Sequence, residues 1–208
     1  MRLTKTVNGI ALTLAFFACE KKDTKESVVD SGEPLSEESS KPYVAKTELD
    51  PMLDQNRVGN VRLLPTGDQN IAGTVLFSNS AQGYNAKITL SGLKPNATHA
   101  LHIHENGDCS NSGKAAGGHF SLANEEHGKP GETGVHFGDL GNVTADAEGV
   151  VDTIVTKILA EDLRSQVAKM HEKAVILHGE SDEFVQPTGD AGPRIACGII
   201  KEDVVEAH

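Results

Sequence analysis

From about residue 58 onward, apolar and polar residues alternate in short runs cut by Gly, Asn, Asp and Pro clusters, which is the period of strands with one buried face. Residues 58–64, 71–78, 84–91 and 99–105 predict four sequential antiparallel strands. Residues 142–145 and 150–156 follow, joined through Asp146-Ala147-Glu148-Gly149 as a hairpin with Gly near its end. Runs at 174–178 and 194–201 close the pattern, and ahead of the first of these Leu163, Val167 and Met170 recur at helical spacing within 160–170. Two stretches, 107–138 and 179–193, carry no strand pattern, and they hold or adjoin most of the histidines. Long stretches of that kind inside a compact domain are usually functional.

The pattern before residue 58 is different. Arg2 and Lys5 precede an apolar run that ends at Cys19 and is too short to span a bilayer, so residues 1–18 are expected to be an export signal. Bulky Phe16 disfavours ordinary cleavage after Ala18, and a lipoprotein signal with a lipidated Cys19 fits better. Residues 19–51 are mostly Lys, Asp, Glu, Ser and Pro, too polar to offset their ordering entropy, and are expected to form a disordered tether. The folded domain is then expected over 52–208, with acyl chains at Cys19 supplying the membrane affinity.

Composition narrows the class. The 208 residues include 21 Gly, no Trp and few aromatics, which favours a turn-rich, all-β fold packed by small and β-branched side chains. Against 30 acidic residues stand only 19 basic ones, with no basic run, so nucleic acid is not an expected partner.

Candidate chemistry lies in the histidines. In Leu101-His102-Ile103-His104-Glu105 two imidazoles share one face of a strand and can reach one metal. His-x-His alone says little, but His119, His127, His136 and Asp139 follow in the Gly-rich stretch and His178 ends a later strand. Three imidazoles and one carboxylate suit tetrahedral zinc, and four imidazoles suit Cu(II). Six histidines fill those seven imidazole positions only if one ring is shared, each of its nitrogens binding a different metal.

The segments 101–109, Gly117-Gly118-His119-Phe120, 134–149 with its core Gly138-Asp139-Leu140-Gly141-Asn142, and 192–199 resemble the signatures of copper-zinc superoxide dismutases. The resemblance spans about residues 57–203 and implies an eight-stranded Greek-key β-barrel or sandwich, immunoglobulin-like, with two long metal-site loops. It implies copper on His102, His104, His119 and His178, and zinc on His119, His127, His136 and Asp139, with one ion of each per subunit. By the same resemblance, Asp182 orients a ligand of each metal, Arg194 guides the superoxide anion, and His119 carries a proton to the peroxide product. Cys109 and Cys197 are expected to form a disulfide, which implies an oxidising compartment. The short interval between His104 and Cys109 resembles the bacterial exported type.

The reaction so implied is dismutation of superoxide to oxygen and hydrogen peroxide by alternating reduction and oxidation of copper. The rival is a noncatalytic copper-binding or copper-delivery module on the same fold. A zinc hydrolase is disfavoured because Asp139 closes the zinc set. His99 is expected to be structural, His171 to face solvent near a helix end, and His208 to be a terminal residue. The loop before Arg194 contains Glu180, Asp182, Glu183 and Asp190 but no Lys, in a chain of formal charge −11, so some local positive field is needed to draw in an anion, and Lys114 or Lys129 could supply part of it. A homodimer and the lipid bilayer are the remaining candidate partners.

Overall fold

The computed structural model describes residues 56–203. The expected leader, tether and Cys19, together with His208, lie outside the described residues.

Eight main strands form: β1 (Arg57–Pro65), β2 (Ala72–Ser80), β3 (Gly83–Ser91), β4 (Thr98–His104), β5 (Asp139–Thr144), β6 (Val151–Ile158), β7 (Ala174–His178) and β8 (Arg194–Ile199). A two-residue β9 (Lys201–Glu202) pairs with β1, so the last expected run divides in two at Ile200. The strands are hydrogen-bonded in the order β5-β4-β7-β8-β1-β2-β3-β6, all antiparallel. That order is the Greek-key arrangement expected from the sequence. The outermost strands β5 and β6 are consecutive in the chain and joined by the turn in which Asp146 N donates to Val150 O at 2.8 Å, so the barrel is nearly closed. Near-closure protects strand edges that would otherwise be open to pairing with other chains.

Burial follows the alternation read from the sequence. Val61, Leu63, Val75, Phe77, Ile88, Leu90, Leu101, Ile103, Val175 and Leu177 fill one core. In β4 the alternation sends Leu101 and Ile103 inward, which leaves His102 and His104 on the opposite face of the same strand. That face is also buried, because the loops between β4 and β5 and between β7 and β8 cover it, and every residue of β4 after Thr98 is buried. A second small cluster of Ala116, Ala174, Ile176 and Cys197 packs under the first of these loops.

Two contacts fasten that loop to the barrel. Tyr84 Oη on β3 donates to Phe137 O at 2.7 Å, and its ring stacks on Phe137 with centroids 5.2 Å apart. Burial holds the Tyr84 hydroxyl well above its usual range, with Asp139 adding to the effect, so it remains a donor. The Cys109–Cys197 disulfide, across a separation of 88 residues, ties the start of the loop to β8.

Two expectations change. The segment Glu161–Met170 is a 3₁₀ helix, not an α-helix. Val167 and Met170, three residues apart, are its buried contacts, and that interval matches three residues per turn as well as it does 3.6. His171 is half-buried and does not face solvent: its Nε2 lies 2.5 Å from Val58 O, because the helix end packs on β1 beside Gly59.

Candidate metal centre

Four strands and two loops deliver the site. β4 presents His102 and His104, β7 ends in His178, β5 begins at Asp139, and β8 begins at Arg194. His119, His127 and His136 come from the loop between β4 and β5, and an isolated bridge pairs His119 with His104. Asp182 comes from the loop between β7 and β8, where it and Asn142 of β5 exchange two hydrogen bonds: Asp182 N donates to Asn142 Oδ1 at 2.7 Å and Asn142 Nδ2 donates to Asp182 O at 2.9 Å. All six imidazoles and Asp139 that the sequence singled out are thus brought together.

They converge in two groups. The donor atoms of His102, His104, His119 and His178 all lie within 4.8 Å of one another, and all four residues are buried. Around Asp139 Oδ1 stand three ring nitrogens: His119 Nδ1 at 2.8 Å, His127 Nδ1 at 3.0 Å and His136 Nδ1 at 3.3 Å. Gly128 N donates to the other oxygen, Oδ2, at 2.9 Å. His102 also falls within 4.8 Å of the donors of His119, His127 and Asp139, but its Nε2 already donates to Asp182 Oδ2 at 2.8 Å. The third ring that reaches Asp139 Oδ1 is that of His136.

The donor chemistry fits copper and zinc. His102 Nδ1 and His119 Nε2 are buried without any hydrogen-bond partner, and such orphaned groups are costly unless something binds them. His104 and His178 bring their Nε2 atoms to 3.4 Å from each other on the same side. Four imidazole nitrogens with no oxygen donor suit copper. Three nitrogens sharing a single carboxylate oxygen suit tetrahedral zinc.

Electrostatics keep most of the rings in the metal-binding form. Burial lowers His104 to about 2, His178 to about 3 and His119 to about 4, and lowers His102 as well, so these rings are neutral at neutral pH. His127 behaves otherwise. Burial lowers it too, but its hydrogen bonds to Asp139 and Asp182 outweigh burial and raise it to about 9. Both acids are held below the usual carboxylate range, since their imidazole hydrogen bonds overcome the effect of burial.

Asp182 spans the two groups. Its Oδ2 accepts from His102 Nε2 and its Oδ1 from His127 Nε2, each at 2.8 Å, so one carboxylate fixes a ring of each set. The fit depends on Gly189, which has φ 78° and whose Cβ would fall 2.0 Å from Asp182 Oδ1. Behind His178, His99 is buried and its Nδ1 donates to the His178 carbonyl at 2.9 Å, in keeping with a structural role.

Arg194 sits where β8 meets a cavity of about 240 Å³ that it lines with His104, His119 and His178. Its Nη1 donates to Gly113 O and its Nη2 to Gly117 O, both at 2.6 Å, which fixes the guanidinium plane. Lys114 and Lys129 are exposed and line no part of this cavity, and among the described residues that line it Arg194 is the only basic side chain other than histidine.

Three participants escaped the sequence reading. Gly117 supplies the carbonyl that Arg194 and His104 share. Phe184 stacks on His127 at 6.3 Å and carries Lys129 over its ring at 5.4 Å, joining the two loops. Lys157 of β6 is fully buried, its Nζ has no hydrogen-bond partner, and burial lowers it to about 8. The signal for Lys157 was available, since it falls in phase with Val151 and Val155 on the inward side of β6.

Residues 71–200 match the family model for copper/zinc superoxide dismutase (SODC). Similar curated proteins named Superoxide dismutase (Cu-Zn) come from the fungi Humicola lutea, 36% identical over 141 residues, and Neurospora crassa, 38% identical over 141 residues. Each alignment covers 64% of this chain and 92% of the relative. Among solved structures, one titled crystal structure analysis of the clock protein EA4 superposes with a TM-score of 0.58 at 29% identity, covering 70% of this chain and 94% of that one.

Proposed function

The chain belongs to the copper/zinc superoxide dismutase family, and on that premise we propose that His102, His104, His119 and His178 hold copper while His119, His127, His136 and Asp139 hold zinc. The protein is a superoxide dismutase with one copper and one zinc per subunit. When bound, copper supplies the redox chemistry by which one superoxide leaves as oxygen and the next as hydrogen peroxide.

The observation that carries the site assignment is the two-sidedness of His119. Its Nδ1 faces Asp139 Oδ1 among the zinc donors, and its Nε2 is buried and unpartnered towards the rings of His102 and His104, 4.0 Å and 5.0 Å away between centroids. A ring so placed serves both metals. His119 is also one of the residues that line the cavity, where its ring can hold a proton destined for the peroxide product.

Arg194 binds the substrate. Two of its N–H groups are committed to carbonyls, which leaves others to donate to a small anion beside the imidazoles. A cavity of about 240 Å³ has room for a diatomic anion beside Arg194. Asp182 acts through the rings it orients.

Metal analysis of single variants tests the assignment. His178→Ala is expected to lose copper and keep zinc, His136→Ala to lose zinc preferentially, and His119→Ala to weaken both. Unchanged zinc occupancy in His136→Ala would overturn the zinc set.

We also propose that residues 1–18 direct export, that Cys19 is lipidated, and that residues 19–51 tether a domain beginning near residue 52 in the periplasm or cell envelope. The charged start, the apolar run and Cys19 support this reading, as do the Cys109–Cys197 disulfide and the short His104-to-Cys109 interval, which resembles that of the bacterial exported type. Mass spectrometry of the native N-terminus decides it, and an unmodified Cys19 would remove the anchor.

A further inference from the structure

Asp190 lines the same cavity as His104, His119, His178 and Arg194. It is exposed, and its side chain makes no hydrogen bond or ion pair among the described residues. The other acids close to the imidazoles, Asp139 and Asp182, are buried and occupied by them. A second acid, Glu180, lies beside the cavity-lining Gly192, where a Cβ would fall 2.8 Å from its Cδ. An anion approaching Arg194 therefore passes an unneutralised carboxylate.

The turn does not require that charge. Asp190 has φ 51°, a conformation that Asn tolerates at least as well. A negative charge at the mouth of an anion pocket opposes binding, yet its cost depends on the visitor. Coulomb energy is linear in ligand charge, so whatever factor Asp190 imposes on a monoanion is squared for a dianion. Arg194 attracts a dianion more strongly than a monoanion for the same reason, and would be blocked by hydrogen phosphate without a counterweight.

We propose that Asp190, placed in one cavity with Arg194, His119 and His178, is a specificity residue that discriminates by valence, admitting the superoxide monoanion and rejecting divalent anions such as hydrogen phosphate. The proposal rests on the assignment of Arg194 to superoxide binding.

The test compares wild type with Asp190→Asn, Asp190→Glu and Glu183→Gln, the last removing an exposed charge of the same loop that does not line the cavity. Binding of azide and of inorganic phosphate at pH 8 is followed by NMR of the Arg194 Nε–H in the zinc-loaded, copper-reduced protein at low ionic strength. Turnover at limiting superoxide is measured in parallel. Asp190→Asn is expected to raise azide affinity and kcat/KM about twofold to threefold and phosphate affinity roughly fourfold to ninefold. Asp190→Glu should match wild type, Glu183→Gln should change little, and the contrasts should shrink with added salt. Equal factors for azide and phosphate, or a Glu183→Gln effect as large as that of Asp190→Asn, would overturn the proposal. Anion binding needs no turnover, so an inactive wild type would overturn the superoxide role of Arg194 while the ratio of factors still decides the valence effect.

Discussion

Arg194 and His104 share one acceptor: the Gly117 carbonyl oxygen lies 2.6 Å from Arg194 Nη2 and 2.9 Å from His104 Nδ1. The guanidinium proposed to bind superoxide and a ring proposed to hold copper are thus positioned by the same peptide. Gly117 reaches this position with φ 76°, and a Cβ there would fall 2.4 Å from Glu105 Oε1.

Gly117→Ala is therefore expected to disturb both groups at once. The strained backbone costs about 1–2 kcal/mol, and copper affinity and kcat/KM should each fall about tenfold. Arg194→Ala should lower kcat/KM by a similar factor with metal content unchanged. Copper titration and stopped-flow superoxide decay check the pair, and a Gly117→Ala protein that loses activity but not copper affinity would break the link.

Asp182→Asn keeps the size of the side chain but cannot accept from His102 and His127 through two oxygens. Both rings lose orientation, and affinity for each metal should fall by roughly 10- to 100-fold. Chelator competition measures this. A loss confined to one metal would show that the carboxylate does not serve both groups.

Removing the Cys109–Cys197 bridge, by Cys109→Ser with Cys197→Ser, releases an 88-residue separation in the unfolded chain. On the chain-entropy account this costs about 4–5 kcal/mol. Denaturant unfolding of the metal-free protein reads it directly. The loop that carries Gly113 is anchored by the same bridge, so Arg194 should also lose definition.

The pH dependence of stability has a component far from the metals. Asp203 accepts from Arg57 Nε at 2.5 Å, from Arg57 Nη2 at 2.9 Å and from Asn60 Nδ2. Burial alone would raise its carboxyl, but these hydrogen bonds lower it below the usual value. Its folded value lies below its unfolded one, so its contribution is full above about pH 4 and is lost as pH falls through the folded value. Asp203→Asn should cost about 1–2 kcal/mol at pH 7, and the difference from wild type should vanish near pH 2 in urea titrations. A difference that persists there would exclude the ion pair as its source.

The strands were legible because alternation survives wherever one face is buried, and β2 and β3 begin and end close to where the pattern puts them. The candidate metal ligands, which the structure brings together, were legible because their residue types are rare and their chemistry demands a count, six rings for seven positions. What the sequence hid was set by tertiary contact. An interval of three residues between Val167 and Met170 does not distinguish a 3₁₀ from an α-helix. Gly117 acts through its carbonyl, which no residue type encodes. His171 and Asp190 are placed by what packs beside them, β1 in one case and the Arg194 cavity in the other.

The most direct measurement pairs metal content with superoxide consumption in the purified protein, before and after selective removal of copper. One copper and one zinc per chain are expected, with dismutation lost when copper is removed and restored when it is returned. Full dismutase activity in copper-free protein would contradict the central claim.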